Sequence, residues 1–273
     1  MKFGITEAGD ASFDYSWKDK LNSVDMAILI TKNITDKFIE EILKVKNKVI
    51  LHATCTGYGG TIVEPNVPNY KLQLEKVRKL IKSGFPKEQV VVRIDPVIPT
   101  KKGCEKIKNI VEYVNEDVKR FRISVIDNYK HVQERFENAG LPILFNGNFQ
   151  AYDKDFKLVD DTIKELKEKY SVVFESCAEN KLFETEKIGC VSKKDLSIFG
   201  LQTAENMIKN NRANCLCLAG KTELLRHIPY GFCNKFKIPD MPNASCGTKK
   251  CKDCKEHTFY GCPNACLYCY WKS

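Results

Sequence analysis

Thirteen cysteines stand among 273 residues. Three of them have a spacing that could do chemistry: Cys262, Cys266 and Cys269, in the run Gly261-Cys262-Pro263-Asn264-Ala265-Cys266-Leu267-Tyr268-Cys269-Tyr270-Trp271. Thiols spaced C-x3-C-x2-C on one short loop can wrap three corners of a cubane iron–sulfur cluster. The competing uses are a structural zinc knuckle and a four-thiolate cluster completed by Cys254. Zinc sites are dominated by C-x2-C pairs, so the spacing favours iron and sulfide. Upstream, Cys233, Cys246, Cys251 and Cys254 offer a second metal site, for zinc or an auxiliary iron–sulfur cluster. Cys251-x2-Cys254 is its best half-site, and His257 is a substitute ligand. Cys177, Cys190, Cys215 and Cys217 form a further group, in which Cys177 and Cys190 read equally well as buried small hydrophobes.

Composition bounds the setting. A hydrophobic content of 43% and a charged content of 29% describe a globular chain, long enough for one sizeable core and a small appended module. No run of apolar residues is long enough for a transmembrane helix. Met1 to Asp10 lacks a basic stretch followed by an apolar one, so no secretory signal is expected. The expected location is therefore the cytoplasm, with no membrane partner. There, cysteines serve as metal ligands, catalytic thiols or core residues rather than as a disulfide framework. The formal net charge is +9, and residues 221–273 hold nine Lys/Arg against four Asp/Glu. Such a basic segment suits a polyanion such as nucleic acid, although a lysine-rich surface also serves solubility alone.

The elements that must position these groups lie in residues 1–180. Continuous apolar runs predict strands at residues 2–6, 25–31, 48–54, 90–95, 120–127 and 171–176. Between them, apolar positions at helical spacing (Phe38, Ile39, Ile42 and Leu43; Leu74, Val77 and Ile81; Ile107, Ile110, Val111 and Val114; Val159, Ile163 and Leu166) predict helices. Thr35 caps the first of these. Residues 141–157 read as an insertion, and a further helix is expected near residues 201–209. Strands alternating with helices pair in parallel through right-handed crossovers, in an open doubly wound sheet or a partial barrel. Either way, functional residues gather beyond the carboxyl ends of the strands. Glu7, Asp10, Lys32, Asn33, Cys55, Thr56, Tyr58, Asp95, Asp127, Tyr129, Cys177 and Glu179 fall there. Asp95 and Asp127 suit binding of ribose hydroxyls or proton transfer, or simple capping of the loops after them. Arg93 would pair with one of them or with a ligand carboxylate. His52 alternates within a strand and reads as a satisfied core or barrel-interior side chain. Residues 181–273 read as a cysteine-rich module that needs metal to hold it.

The three-cysteine loop resembles that of the radical S-adenosylmethionine (SAM) enzymes, in which the open iron of a [4Fe-4S] cluster chelates SAM. Two further stretches resemble relatives of spore photoproduct lyase: residues 52–59 with 63–68, and residues 92–99. The chain also resembles an uncharacterised bacterial family with a radical-SAM-like loop near its C-terminus. The shared elements are Thr31-Lys32-Asn33, Thr56 to Gly59, Arg93 to Pro96, Cys177-Ala178-Glu179, Cys215-x-Cys217 and the final cysteine trio. Three departures stand out. Ile34 occupies the place of an expected proline, the segment between Cys217 and Gly261 carries four extra cysteines, and Glu7 to Asp10 is the nearest match to the SAM-binding Gly-Gly-Glu element.

The resemblance implies a partial (β/α)6 TIM-like barrel over residues 1–180, with residues 181–273 as a metal-binding module that carries the cluster loop. It implies a [4Fe-4S] cluster on Cys262, Cys266 and Cys269, with Glu7, Asp10, Arg93 and Tyr268 around SAM. It also implies an electron donor such as flavodoxin or ferredoxin. Cys177, at a strand end beside Glu179, would donate a hydrogen atom to a substrate radical, as a thiol does in some relatives, and Asp95 and Asp127 are the other catalytic candidates. The expected substrate is nucleic acid or a nucleotide. A peptide-modifying radical enzyme is a further reading. A metal-stapled nucleic-acid-binding protein without radical chemistry is the alternative from another class.

Overall fold

The computed structural model describes residues 3–6, 10–15, 17–177, 179–201, 222–223 and 263–269. The helix expected near residues 201–209, Glu7, and the cysteines at 215, 217, 233, 246, 251, 254 and 262 lie outside the described residues.

The elements run in the order β1 (Phe3–Ile5), α1 (Trp17–Lys20), β2 (Met26–Thr31), α2 (Asp36–Leu43), β3 (Val49–Thr54), α3 (Tyr70–Lys82), β4 (Val90–Val97) and α4 (Lys101–Val114). Then come β5 (Arg120–Val125), α5 (Lys130–Asn138), α6 (Asp153–Lys169), β6 (Val173–Ser176), β7 (Glu186–Lys187), α7 (Lys193–Ile198) and β8 (Thr222–Glu223). The eight strands among the described residues form one sheet in the order β7-β6-β5-β4-β3-β2-β1-β8, and their pairings are all parallel. The sheet is open and strongly curled, a half-barrel.

The order explains the curl. From β1 to β6 each strand is added on the same side of the last, so right-handed crossovers put α2, α3, α4 and α6 on one face. A doubly wound sheet would need a reversal of order, and none occurs between β1 and β6. Alternate residues on the outer face, including Leu29, Leu51, Val92, Ile123 and Phe174, pack against α2, α3, α4 and α6 in one large core. The other face looks inward. There Phe3, Ile5, Met26, Ile28, Ile50 and Val91 meet Val191 and Leu196 of the α7 region. With both faces covered, β2 and β3 are buried throughout, which is why β2 reads as a continuous apolar run and β3 as one interrupted only by His52 before its final Thr54.

Helix starts are set locally. Thr35 accepts from the Phe38 N–H, Asn69 from Lys71 and Thr100 from Gly103. Ser192 and Asp195 form a reciprocal capping box on α7. Helix α5 buries only Val132 and Phe136, too few apolar positions to stand out by periodicity, and no element is expected there from the sequence.

Towards β5 and β6 the inner face turns polar. Arg120 donates to Glu175 at 2.9 Å and to Asp195 at 2.8 Å, all three side chains being almost fully buried. Arg122 donates to Glu175 at 3.0 Å and to the Cys190 carbonyl at 3.0 Å. This network ties α7 across the sheet. Removing one partner of a buried ion pair strands the other charge. Glu175→Ala is expected to cost about 3–5 kcal/mol, read as a lower urea midpoint of unfolding, with Glu175→Gln recovering part of the loss.

Candidate functional site

The rim is formed by the residues just beyond the carboxyl end of each strand. Asp10, beyond β1, is buried and its carboxylate accepts four hydrogen bonds. Oδ1 takes the Ser12 N–H at 3.0 Å and the Thr31 hydroxyl at 2.5 Å. Oδ2 takes the Lys32 N–H and the Asn264 amide, each at 2.8 Å. A carboxylate has about four lone-pair sites, so every acceptor position of Asp10 is used by protein donors.

Asn264 belongs to the three-cysteine loop, whose residues 263–269 rest on the strand ends. The Leu267 N–H donates to the Val63 carbonyl at 3.0 Å, the Asn66 amide donates to the Pro263 carbonyl at 2.7 Å, and Arg135 donates to the Cys269 carbonyl at 2.6 Å. Leu267 and Tyr268 pack against the cluster of Tyr58, Val63, Ile126, Val132 and Phe136. Helix α5 therefore matters to the site, because it supplies Arg135, Val132 and Phe136.

Beneath the loop stands a polar knot centred on Glu64, a residue that sequence reasoning left out of the site. Lys32, beyond β2, donates to Glu64 at 2.9 Å and to the Tyr268 hydroxyl at 2.6 Å. Tyr268 in turn donates to Glu64, and Thr56, beyond β3, donates to Glu64 at 2.6 Å. The Cys266 sulfur lies 4.0 Å from the same carboxylate. Burial pulls the Lys32 ammonium downward, but Glu64, Cys266 and Asp95 outweigh it and hold the group above the ordinary lysine value. The clue to Glu64 was its place in the 57–68 loop among glycines and prolines. At Gly59 a Cβ would stand 1.9 Å from the Pro68 carbonyl oxygen, so only glycine lets that loop fold back and present Glu64.

A second group lies toward β4, β5 and β6. Asp95 accepts from Arg93 and from Ser124 at 2.5 Å. Burial pushes its carboxyl up, but Arg93, Ser124 and Lys32 hold it below the usual range. Asp127 is pushed up by burial and by Asp95. Glu179 accepts from the Val125 N–H at 2.9 Å. Burial first, then Asp127 and Asp95, raise its carboxyl to about 7. Cys177 is half-buried at the end of β6, two residues before Glu179.

The structure thus brings Asp10, Tyr268, Cys266 and Cys269 together with Lys32, Glu64 and Arg135, and places Arg93, Asp95 and Asp127 along the same rim. Lys32 and Asp95 are within electrostatic reach of each other and join the two groups. For a metal–sulfur group, the loop offers Cys266 and Cys269 three residues apart, with cationic Lys32 and Arg135 alongside. Burial lowers Arg135, and the nearby Cys269 and Cys266 oppose that shift. This donor set fits an anionic cluster. Among the described residues no group of three His, Cys, Asp or Glu side chains could hold a metal, and Cys262 lies outside them. No disulfide occurs among the described cysteines.

Fold and rim define an α/β half-barrel whose polar site lies at the carboxyl ends of its strands, beneath a loop that carries thiols. The chain belongs to the family defined as a domain of unknown function, DUF1848, which matches residues 13–222. No curated protein matches it. No helix among the described residues is long and apolar enough to cross a membrane.

The raised Glu179 carboxyl sets a pH dependence. Folded, it keeps its proton up to about pH 7, whereas its ordinary value is 4.5. The unfolded chain therefore releases this proton first. The stability that Glu179 contributes is complete below pH 4.5 and is lost as the pH rises through about 7. Relative to Glu179→Gln, the parent is expected to lose thermal stability between those pH values, as read from unfolding scans at stepped pH.

Proposed function

We propose that this protein is a radical SAM enzyme, with Cys262, Cys266 and Cys269 holding a [4Fe-4S] cluster over the strand ends. The observation that carries the reading is the seating of the loop. A C-x3-C-x2-C segment is fastened by Asn264 to Asp10, by Leu267 to Val63 and by its Cys269 carbonyl to Arg135. Cys266 and Cys269 thereby stand over the part of an α/β sheet where ligands bind. Bound there, the cluster supplies one-electron reductive cleavage of SAM to methionine and a 5′-deoxyadenosyl radical, the electron coming from an external donor such as a flavodoxin or ferredoxin.

In this reading the residues of the chain divide the remaining work. Lys32 and Arg135 balance negative charge at the thiols. Glu64 and Tyr268 fix Lys32 in place. Asp10 serves as the latch of the loop, so the polar ends of SAM fall to the Arg93–Asp95 side, with Asp127 available for ribose hydroxyls. Cys177 lies at the same rim as the hydrogen-atom donor to a substrate radical. The half-barrel adds a (β/α)6-type wall that keeps water from the radical. The basic composition of residues 221–273 favours a nucleic acid or nucleotide substrate.

The test is anaerobic reconstitution with iron and sulfide, followed by reduction and addition of SAM. The expected outcome is a brown protein that releases 5′-deoxyadenosine, with both properties lost in Cys266→Ala. A colourless zinc protein that leaves SAM intact sinks the reading and favours a metal-stapled binding protein. Arg135→Gln removes a positive charge beside the thiols. It is expected to make the cluster potential more negative, on the order of tens of millivolts, as measured by redox titration.

A further inference from the structure

The inner face of the half-barrel holds one side chain that neither the core nor the ion network accounts for. His52, at the middle of β3, is 1% exposed, and neither of its ring nitrogens has a hydrogen-bond partner among the described residues. It is an interior residue, as its alternation in the strand suggests, but it is not a satisfied one. It does not stand alone. Arg93, on the next strand, pairs in register with Arg122, and Thr54, two residues beyond His52, pairs with Arg93. The three side chains His52, Arg93 and Arg122 therefore share the inner face on adjacent strands. The Nε of Arg122 and the Nη1 of Arg120 are also buried with no partner among the described residues.

Buried polar atoms are nearly always hydrogen-bonded, and an unmet one costs free energy that an apolar residue of similar size would not. Four such nitrogens on one face of the sheet, on β3 and β5 to either side of β4, are not explained by packing. The ion network uses the other guanidinium nitrogens, so it accounts for Arg120, Glu175 and Asp195 but not for His52. Three of the four nitrogens carry hydrogen and donate, namely Arg120 Nη1, Arg122 Nε and one nitrogen of a neutral imidazole. Burial holds the imidazole well below its ordinary value, and Arg122, Arg93 and Arg120 push it the same way. Above it, Arg93, Asp95 and Ser124 are only half-buried and lead up to the rim.

We propose that His52, with Arg122 Nε and Arg120 Nη1, forms the deep end of a ligand site inside the half-barrel that receives the oxyanion, carboxylate or phosphate, of a small molecule entering from the strand ends. The site is one of hydrogen-bond recognition, because the arginine charges are already paired with Glu175, Asp195 and Asp95. It does not depend on whether the cysteine loop holds a cluster, and it is tested without SAM cleavage.

The full chain has four histidines, so ring labelling with 15N gives a spectrum simple enough to follow, with His52 assigned by its loss in His52→Gln. Inorganic phosphate and acetate are titrated in separate arms at fixed ionic strength. The expected result is a saturable movement of the His52 ring resonances in one arm, which also names the oxyanion. His52→Leu, which replaces an unmet polar group with an apolar one, is expected to raise the melting temperature by several degrees and to abolish any stabilisation specific to that probe. His52 resonances that stay fixed in both arms overturn the proposal. So does a lowered melting temperature in His52→Leu, since that marks the imidazole as a satisfied structural residue.

Discussion

The Asp10 carboxylate is the junction on which the rim depends. Its two oxygens gather the Ser12 and Lys32 N–H groups, the Thr31 hydroxyl and the Asn264 amide. Those donors come from the loop after β1, the end of β2 and the three-cysteine loop. A buried carboxylate is tolerable only when its lone pairs are met, so each donor is held as firmly as the charge requires. One side chain thus sets the entry of the chain into the rim, the position of Lys32 and the docking of a segment 254 residues further on.

From that junction the rim is built outward. Lys32 is carried by the backbone that Asp10 holds, and it reaches Glu64 and Tyr268. Glu64 comes from a loop that can fold back only because Gly59 lacks a side chain. Arg135 comes from α5, a helix with two buried residues. The thiol-bearing loop is therefore gripped from both sides by elements that contribute little to the core.

The inner face of the half-barrel shows two solutions to buried polarity. At β5 and β6, Arg120, Arg122, Glu175 and Asp195 pair their charges and hold α7 in place, while Arg120 Nη1 and Arg122 Nε have no partner among the described residues. At β3, His52 has no such company. The first pattern is structural, because each charge has a partner whose removal would strand it. The second leaves two buried ring nitrogens unmet, which makes it the feature of the interior most readily tied to a ligand.

Much of this was legible in the sequence, for a physical reason. Strands covered on both faces are largely apolar, and β2, most of β3 and the start of β4 announce themselves in that way. The helices that cover the sheet show the spacing of their buried stripes, as in Ile107, Ile110, Val111 and Val114 of α4. Capping at Thr35 is local chemistry, and so is the spacing of Cys262, Cys266 and Cys269. The choice between a doubly wound sheet and a curled half-barrel was not legible, because both use the same strands and helices and differ only in spatial order. Helix α5 was hidden by its short apolar stripe. The joining of Asp10 to Asn264, of Lys32 to Glu64 and Tyr268, and of Arg135 to the Cys269 carbonyl was decided by tertiary structure alone. So was the isolation of His52. Sequence determines what each stretch can form and which atoms it carries, whereas hydrogen bonds between residues far apart in the chain exist only once the sheet has curled and brought its strand ends to one rim.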